Sequence, residues 1–87
     1  MWTVIVKKKQ QKGLGKLPVE VRALFKALVK DLQLDGPVRP DWDNYSKLGG
    51  SKHHCHLNYR YVACWTSESK TITIEVYYVG SRENAPY

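Results

Sequence analysis

Residues 53–76, HHCHLNYRYVACWTSESKTITIEV, decide the fold. His53 to Leu57 and Tyr59 to Thr66 read as two strands with almost nothing between them, so they predict a hairpin turning at Asn58. A second turn at Ser67-Glu68-Ser69-Lys70 leads into Thr71-Ile72-Thr73-Ile74-Glu75-Val76. Strict alternation there marks a strand buried on one face, and Ile72, Ile74 and Val76 are expected to point at the layer that covers it. Three antiparallel strands follow from this stretch.

Upstream, the covering layer is legible. Val21, Leu24, Phe25, Leu28 and Leu32 recur at spacings of three and four, and Pro18 is tolerated in a helix's first turn. The helix is expected from about Leu17 to Leu34, because Asp35-Gly36-Pro37 supplies a glycine and then a residue that cannot continue it. Lys8 to Lys16, with Gly13 and Gly15, reads as a weak helix or a loop. Trp2 to Val6 suits a short first strand ending in the basic run Lys7-Lys8-Lys9. Gly36 to Ser51, with prolines and glycines, reads as a long irregular connection whose Trp42 and Tyr45 pin it to the domain.

Composition narrows the class. The chain has 87 residues, enough for one domain spanning 1–87, and carries 14 Lys and Arg against 8 Asp and Glu for a formal charge of +6. A basic balance points to an anionic partner, nucleic acid among them, but says nothing of fold. No run approaches the roughly 20 apolar residues of a membrane span, and the start lacks a signal-peptide layout. A cytoplasmic protein with no membrane partner is expected. Cys55 and Cys64 are too few for a disulfide framework and are read as packing residues.

The chemistry concentrates in His53-His54-Cys55-His56-Leu57. A period of two puts His54 and His56 on one face and Cys55 with Leu57 on the other. If Cys55 and Leu57 face the core, the two imidazoles stand on the open face, where they can move protons near neutral pH. A zinc site is the rival reading, since His-X-His supplies two ligands. Structural zinc needs about four, and no Cys-X-X-Cys knuckle completes the set. No metal and no cofactor are therefore expected, and Gly13-Leu14-Gly15 lacks the setting of a phosphate-binding glycine loop.

The last residues, Tyr77-Tyr78-Val79-Gly80-Ser81-Arg82-Glu83-Asn84-Ala85-Pro86-Tyr87, resemble the final strand and tail of the RelE/ParE superfamily of toxins, the RelE/HigB-like mRNA interferases in particular. Gly80, Arg82, Glu83 and Tyr87 stand where that family has a glycine, a basic residue, an acidic residue and a terminal aromatic. Lys47-Leu48-Gly49 resembles its Lys-Leu segment before the sheet, and Leu17-Pro18 with Val21-Arg22 its helix start. The resemblance implies an α+β, RelE-like fold in which a small antiparallel sheet packs on one or two N-terminal helices. It implies an endoribonuclease that cuts mRNA in the ribosomal A site and is held in check by a cognate antitoxin.

Residue by residue, the resemblance implies that Arg82 stabilises charge on the scissile phosphate and that Tyr87 positions a base. His54 and His56 then serve proton transfer, and Lys47, Lys52 and Arg60 are candidate RNA contacts. Aligning the final strands without a gap puts Val62, not Arg60, at the family's second arginine. Two alternatives stay open: a ParE-like toxin that binds DNA gyrase, and a nucleic-acid-binding module without turnover.

Overall fold

The computed structural model describes residues 1–68 and 70–87. In chain order the elements are β1 (Thr3–Val6), α1 (Lys8–Leu14), α2 (Val19–Asp35), β2 (Ser46–Gly49), β3 (Lys52–His56), β4 (Tyr61–Ser67) and β5 (Thr73–Ser81), followed by a 3-10 turn at Arg82–Asn84. The expected α+β architecture is present: two helices accompany a five-stranded sheet in the order β1-β5-β4-β3-β2. No helix of the described residues is long and apolar enough to cross a membrane.

The anticipated amphipathic helix is α2, and its buried residues are Val21, Phe25, Leu28 and Leu32. They join Cys55, Leu57, Ala63, Trp65, Ile74, Val76 and Val79 of the sheet in one core, with Leu24 partly buried against it. Gly36 ends the helix with φ of 91° and donates its N–H to the Leu32 carbonyl. A side chain there would meet the Trp2 indole at 2.8 Å, so glycine serves both the backbone and the packing. The glycine-bearing segment before it is helical after all, as α1.

The sheet is larger than three antiparallel strands. β1 joins β5 in parallel, Thr3 opposite Thr73 through Val6 opposite Val76. Part of the expected irregular connection is β2, antiparallel to β3, with Ser46 opposite His54. The β1–β5 pairing is non-local and leaves no local signal, whereas β2 pairs with its neighbour β3 but is only four residues long and rich in polar side chains and glycine. The hairpin at Asn58 forms as expected. The Asn58 side-chain oxygen accepts from the N–H groups of Arg60 and Tyr61 at 2.9 and 3.0 Å, which closes the turn. Of the second expected turn, Ser69 lies outside the described residues.

Two details of β5 differ from strict alternation. Ile72 is 64% exposed, whereas Ile74 and Val76 are fully buried. Ile72 precedes the first paired residue, Thr73, so the pleat that would aim it inward does not include it. Further on, Cys64 pairs with Tyr78 but Trp65 pairs with Val76, which leaves Tyr77 as an extra residue in β5. This bulge resets the alternation. Val79 thereby returns to the core, and Tyr78 joins Cys64 and His54 on the open face.

Candidate active site

Strand parity places the histidines as the sequence predicts. Cys55 and Leu57 are in the core, while His54 and His56 stand across from Cys64 and Val62 on the other face of the sheet. Their ring centroids are 5.7 Å apart. The chain after β5 turns through Arg82–Asn84 and brings the Tyr87 ring edge-on to His54, with centroids 4.5 Å apart. The open face is thus roofed at this point: His54 is only 9% exposed, and Tyr87 is half-exposed above it.

Each imidazole has a partner that orients it. Ser46 Oγ, from β2, lies 3.0 Å from His54 Nδ1. Asn44, the one non-glycine residue with positive φ among those described, sets its amide 3.3 Å from His56 Nδ1. The His56 N–H also donates to the Asp43 carbonyl at 2.8 Å, which ties this loop to β3. Polar partners at Nδ1 fix ring orientation.

Arg82 closes the group from the β5 side. Its N–H donates to the Arg60 carbonyl at 2.7 Å, joining the end of β5 to the start of β4. The two arginines, with Tyr59, Tyr61, Ser81 and Glu83, line a cleft of about 450 Å³. The Arg60 guanidinium rests over the Tyr59 ring, 5.4 Å from its centroid. Gly80 is required nearby, since a side chain there would meet the Tyr78 hydroxyl at 2.9 Å, a hydroxyl that donates to the Ser81 carbonyl at 2.6 Å.

The electrostatics bind these residues together. Burial lowers the His56 pKa from 6.5, and the neighbouring His54 and Arg82 lower it further against the opposing pull of Asp43. His56 is therefore held neutral at neutral pH. Burial raises the pKa of Tyr87, and Arg82 works against that rise. Beneath them Cys64 is pushed up to about 11 by burial, and Cys55 on the core side to about 12, so both are thiols rather than nucleophiles.

The remaining candidates divide. Lys52 precedes His54 on the same face, its ammonium 5.9 Å from the centre of the Tyr77 ring. Lys47 pairs with His53 and so lies on the opposite face, away from the imidazole pair. Among the described residues no group of three or more His, Cys, Asp or Glu could hold a metal ion. Ser46, Asn44 and Tyr78 are not legible as site residues, because β2, the loop before it and the β5 bulge place them.

No family model and no curated protein matches the sequence. Solved structures do match the fold. A chain of the archaeal RelE-RelB complex from Pyrococcus horikoshii OT3 superposes with a TM-score of 0.77 at 20% identity, covering 97% of this chain and 98% of that one. A chain of the YoeB-YefM complex from Staphylococcus aureus gives 0.70 at 9% identity, covering 91% and 94%. A metal-bound toxin from Helicobacter pylori gives 0.70 at 22% identity, covering 95% and 97%. The α+β fold implied by the tail and helix motifs is therefore the one this chain adopts: it has the fold of the RelE and YoeB toxins.

Proposed function

We propose that the chain is the toxin of a toxin–antitoxin pair and an endoribonuclease that cuts mRNA on the ribosome. The observation that carries this reading is the convergence of His54 and His56 of β3 with Arg82 and Tyr87 of the tail after β5 on one face of the sheet. A gyrase-binding toxin or a plain binding module has no need of that grouping. The toxin names of the solved structures that share the fold support the toxin part of this reading.

The chemistry is a transesterification. The ribose 2′-oxygen attacks the adjacent phosphorus, the bond to the 5′-oxygen of the next nucleotide breaks, and a cyclic phosphate and a free 5′-hydroxyl result. The nucleophile belongs to the substrate and is already close to the phosphate, so the protein's task is positioning, proton transfer and charge stabilisation. His56, held neutral, is suited to take the 2′-OH proton; His54, beside it and under Tyr87, is placed to return one to the departing oxygen. Arg82 presents a fork of donors to the phosphate as it gains charge, with Arg60 across the cleft as a second phosphate contact. Tyr87 offers a ring on which a base can stack, and Lys52 a charge along the approach.

The test is product analysis. Incubated with programmed ribosomes, the chain is expected to leave mRNA fragments ending in cyclic phosphate and starting with 5′-hydroxyl, and to leave free mRNA largely intact. Fragments with 5′-phosphate, or no fragments, would contradict the mechanism.

A further inference from the structure

The chain has three histidines, all of them on β3, and three consecutive residues reach all three. Asn44 Nδ2 lies 3.3 Å from His56 Nδ1, Tyr45 Oη 2.7 Å from His53 Nδ1, and Ser46 Oγ 3.0 Å from His54 Nδ1. The pattern follows from the pairing of this segment with β3, in which Ser46 stands opposite His54. Successive side chains alternate between the faces of a sheet, so Asn44 and Ser46 address the open-face pair while Tyr45 turns to the core and His53. One tripeptide thus touches both faces of the sheet and every imidazole in the molecule.

The three contacts are unequal in what they can hold. Asn44 and Ser46 are exposed, and a hydrogen bond that water can replace fixes a loop weakly. Asn44 also has φ of 52°, a left-handed conformation that costs Asn less than most residues but still needs neighbours to hold it. Tyr45 supplies that constraint. Its hydroxyl meets an imidazole that is 3% exposed, and its ring packs 6.1 Å from the Trp65 ring in the core. A hydroxyl–imidazole bond shielded from water has no substitute, so breaking it leaves both groups unsatisfied. The open-face partners suit proton transfer for a different reason. Amide and hydroxyl groups can donate or accept, so they hold a ring in either charge state, whereas a carboxylate would favour the imidazolium.

We infer that Asn44-Tyr45-Ser46 is a strap that sets the position of the His54 and His56 rings, and that the Tyr45 hydroxyl on His53, at the other face of the sheet, anchors it. Tyr45 and His53 are then positioning residues for a proton transfer that neither touches. The inference rests on the proton-transfer roles proposed above for His54 and His56, yet its geometric part holds or fails without them.

Histidine side-chain NMR of the isotope-labelled full chain reads that geometry ring by ring, and cleavage on ribosomes reads its consequence. Tyr45→Phe keeps the ring packing and removes only the hydroxyl. It is expected to shift or broaden the ring signals of His54 and His56 as well as His53, and to lower kcat about tenfold or more with KM near the parent's. His53→Phe breaks the same bond from its other end and should do the same to His54 and His56; it serves if Tyr45→Phe does not fold by circular dichroism. The double variant should be no slower than either single one, because the same interaction is lost in all three. Ser46→Ala should move the signals of His54, and Asn44→Gly, which keeps the positive φ, those of His56. Leu24→Ala, on α2, controls for lost stability: it should lower the denaturant midpoint and leave the ring signals and kcat alone. His54 and His56 signals that stay parental in Tyr45→Phe and His53→Phe, or that move while kcat does not, would overturn the inference. Ring signals that respond as expected in a chain that never cuts mRNA would keep the strap and remove the nuclease reading.

Discussion

His53 and His54 are neighbours in sequence and sit in different chemistries. His54 belongs to the open-face cluster, whereas His53 is 3% exposed and packed in a three-ring cluster with Tyr45 and Trp65, its centroid 5.9 Å from each and theirs 6.1 Å apart. Tyr45 Oη lies 2.7 Å from its Nδ1 and Ser67 Oγ 3.5 Å from its Nε2. Its pKa is lowered from 6.5 by burial and then by Lys47, the charged group on the adjoining strand. His53 is thus neutral in the folded chain and ordinary in the unfolded one, so acid loads more protons onto the unfolded state. Its contribution to stability is complete above the unfolded value of about 6.5 and is lost as pH falls toward the folded pKa; His56 has the same sign. Denaturant midpoints should fall between about pH 7 and about pH 5, and His53→Phe should flatten that fall. An unchanged slope in the variant would show that His53 does not carry it. Parity alone separated His54 and His56 from Cys55 and Leu57 in the sequence. It could not show His53 clamped by Tyr45, because the aromatic partner arrives from a loop 8 residues away.

At the scale of elements, α2 was the clearest reading, and it makes the firmest energetic prediction. Phe25 is 5% exposed in the core, so Phe25→Ala should cost on the order of 3–5 kcal/mol. Ile72→Ala, at a residue that alternation alone would have buried, should stay within about 0.5 kcal/mol. Equilibrium denaturation of the two variants checks both, and a similar loss in each would contradict the assigned start of β5. The connection after α2 shows why loop readings stop short. Trp42 and Tyr45 do pin it, the former by donating from its indole to Asp31 at 2.9 Å. A further tie, the Trp65 indole N–H to the Pro37 carbonyl at 2.9 Å, spans 28 residues and has no local signature. The bulge at Tyr77 is similar, since nothing in Val76-Tyr77-Tyr78-Val79 announces that alternation pauses there.

Taken whole, the molecule keeps most of its excess of cations on the helix layer and its candidate chemistry on the other face of the sheet. The composition gave the excess of cations, but only the fold shows that the helix layer holds it. It also shows that the chain from Gly80 to Tyr87 folds back over His54. Expression of the chain alone is expected to arrest growth; a folded product that is harmless at high expression would remove the toxin reading. The central claim is that His54, His56 and Arg82 perform cleavage, and its most direct measure is the rate at which purified variants cut mRNA on ribosomes. His54→Ala, His56→Ala and Arg82→Ala should each slow cleavage by about 10²-fold or more while ribosome affinity stays near that of the parent. Lys70→Ala, in the β4–β5 turn, should match the parent. Parental rates in all three site variants, or a parent that cuts nothing on ribosomes, would contradict the account.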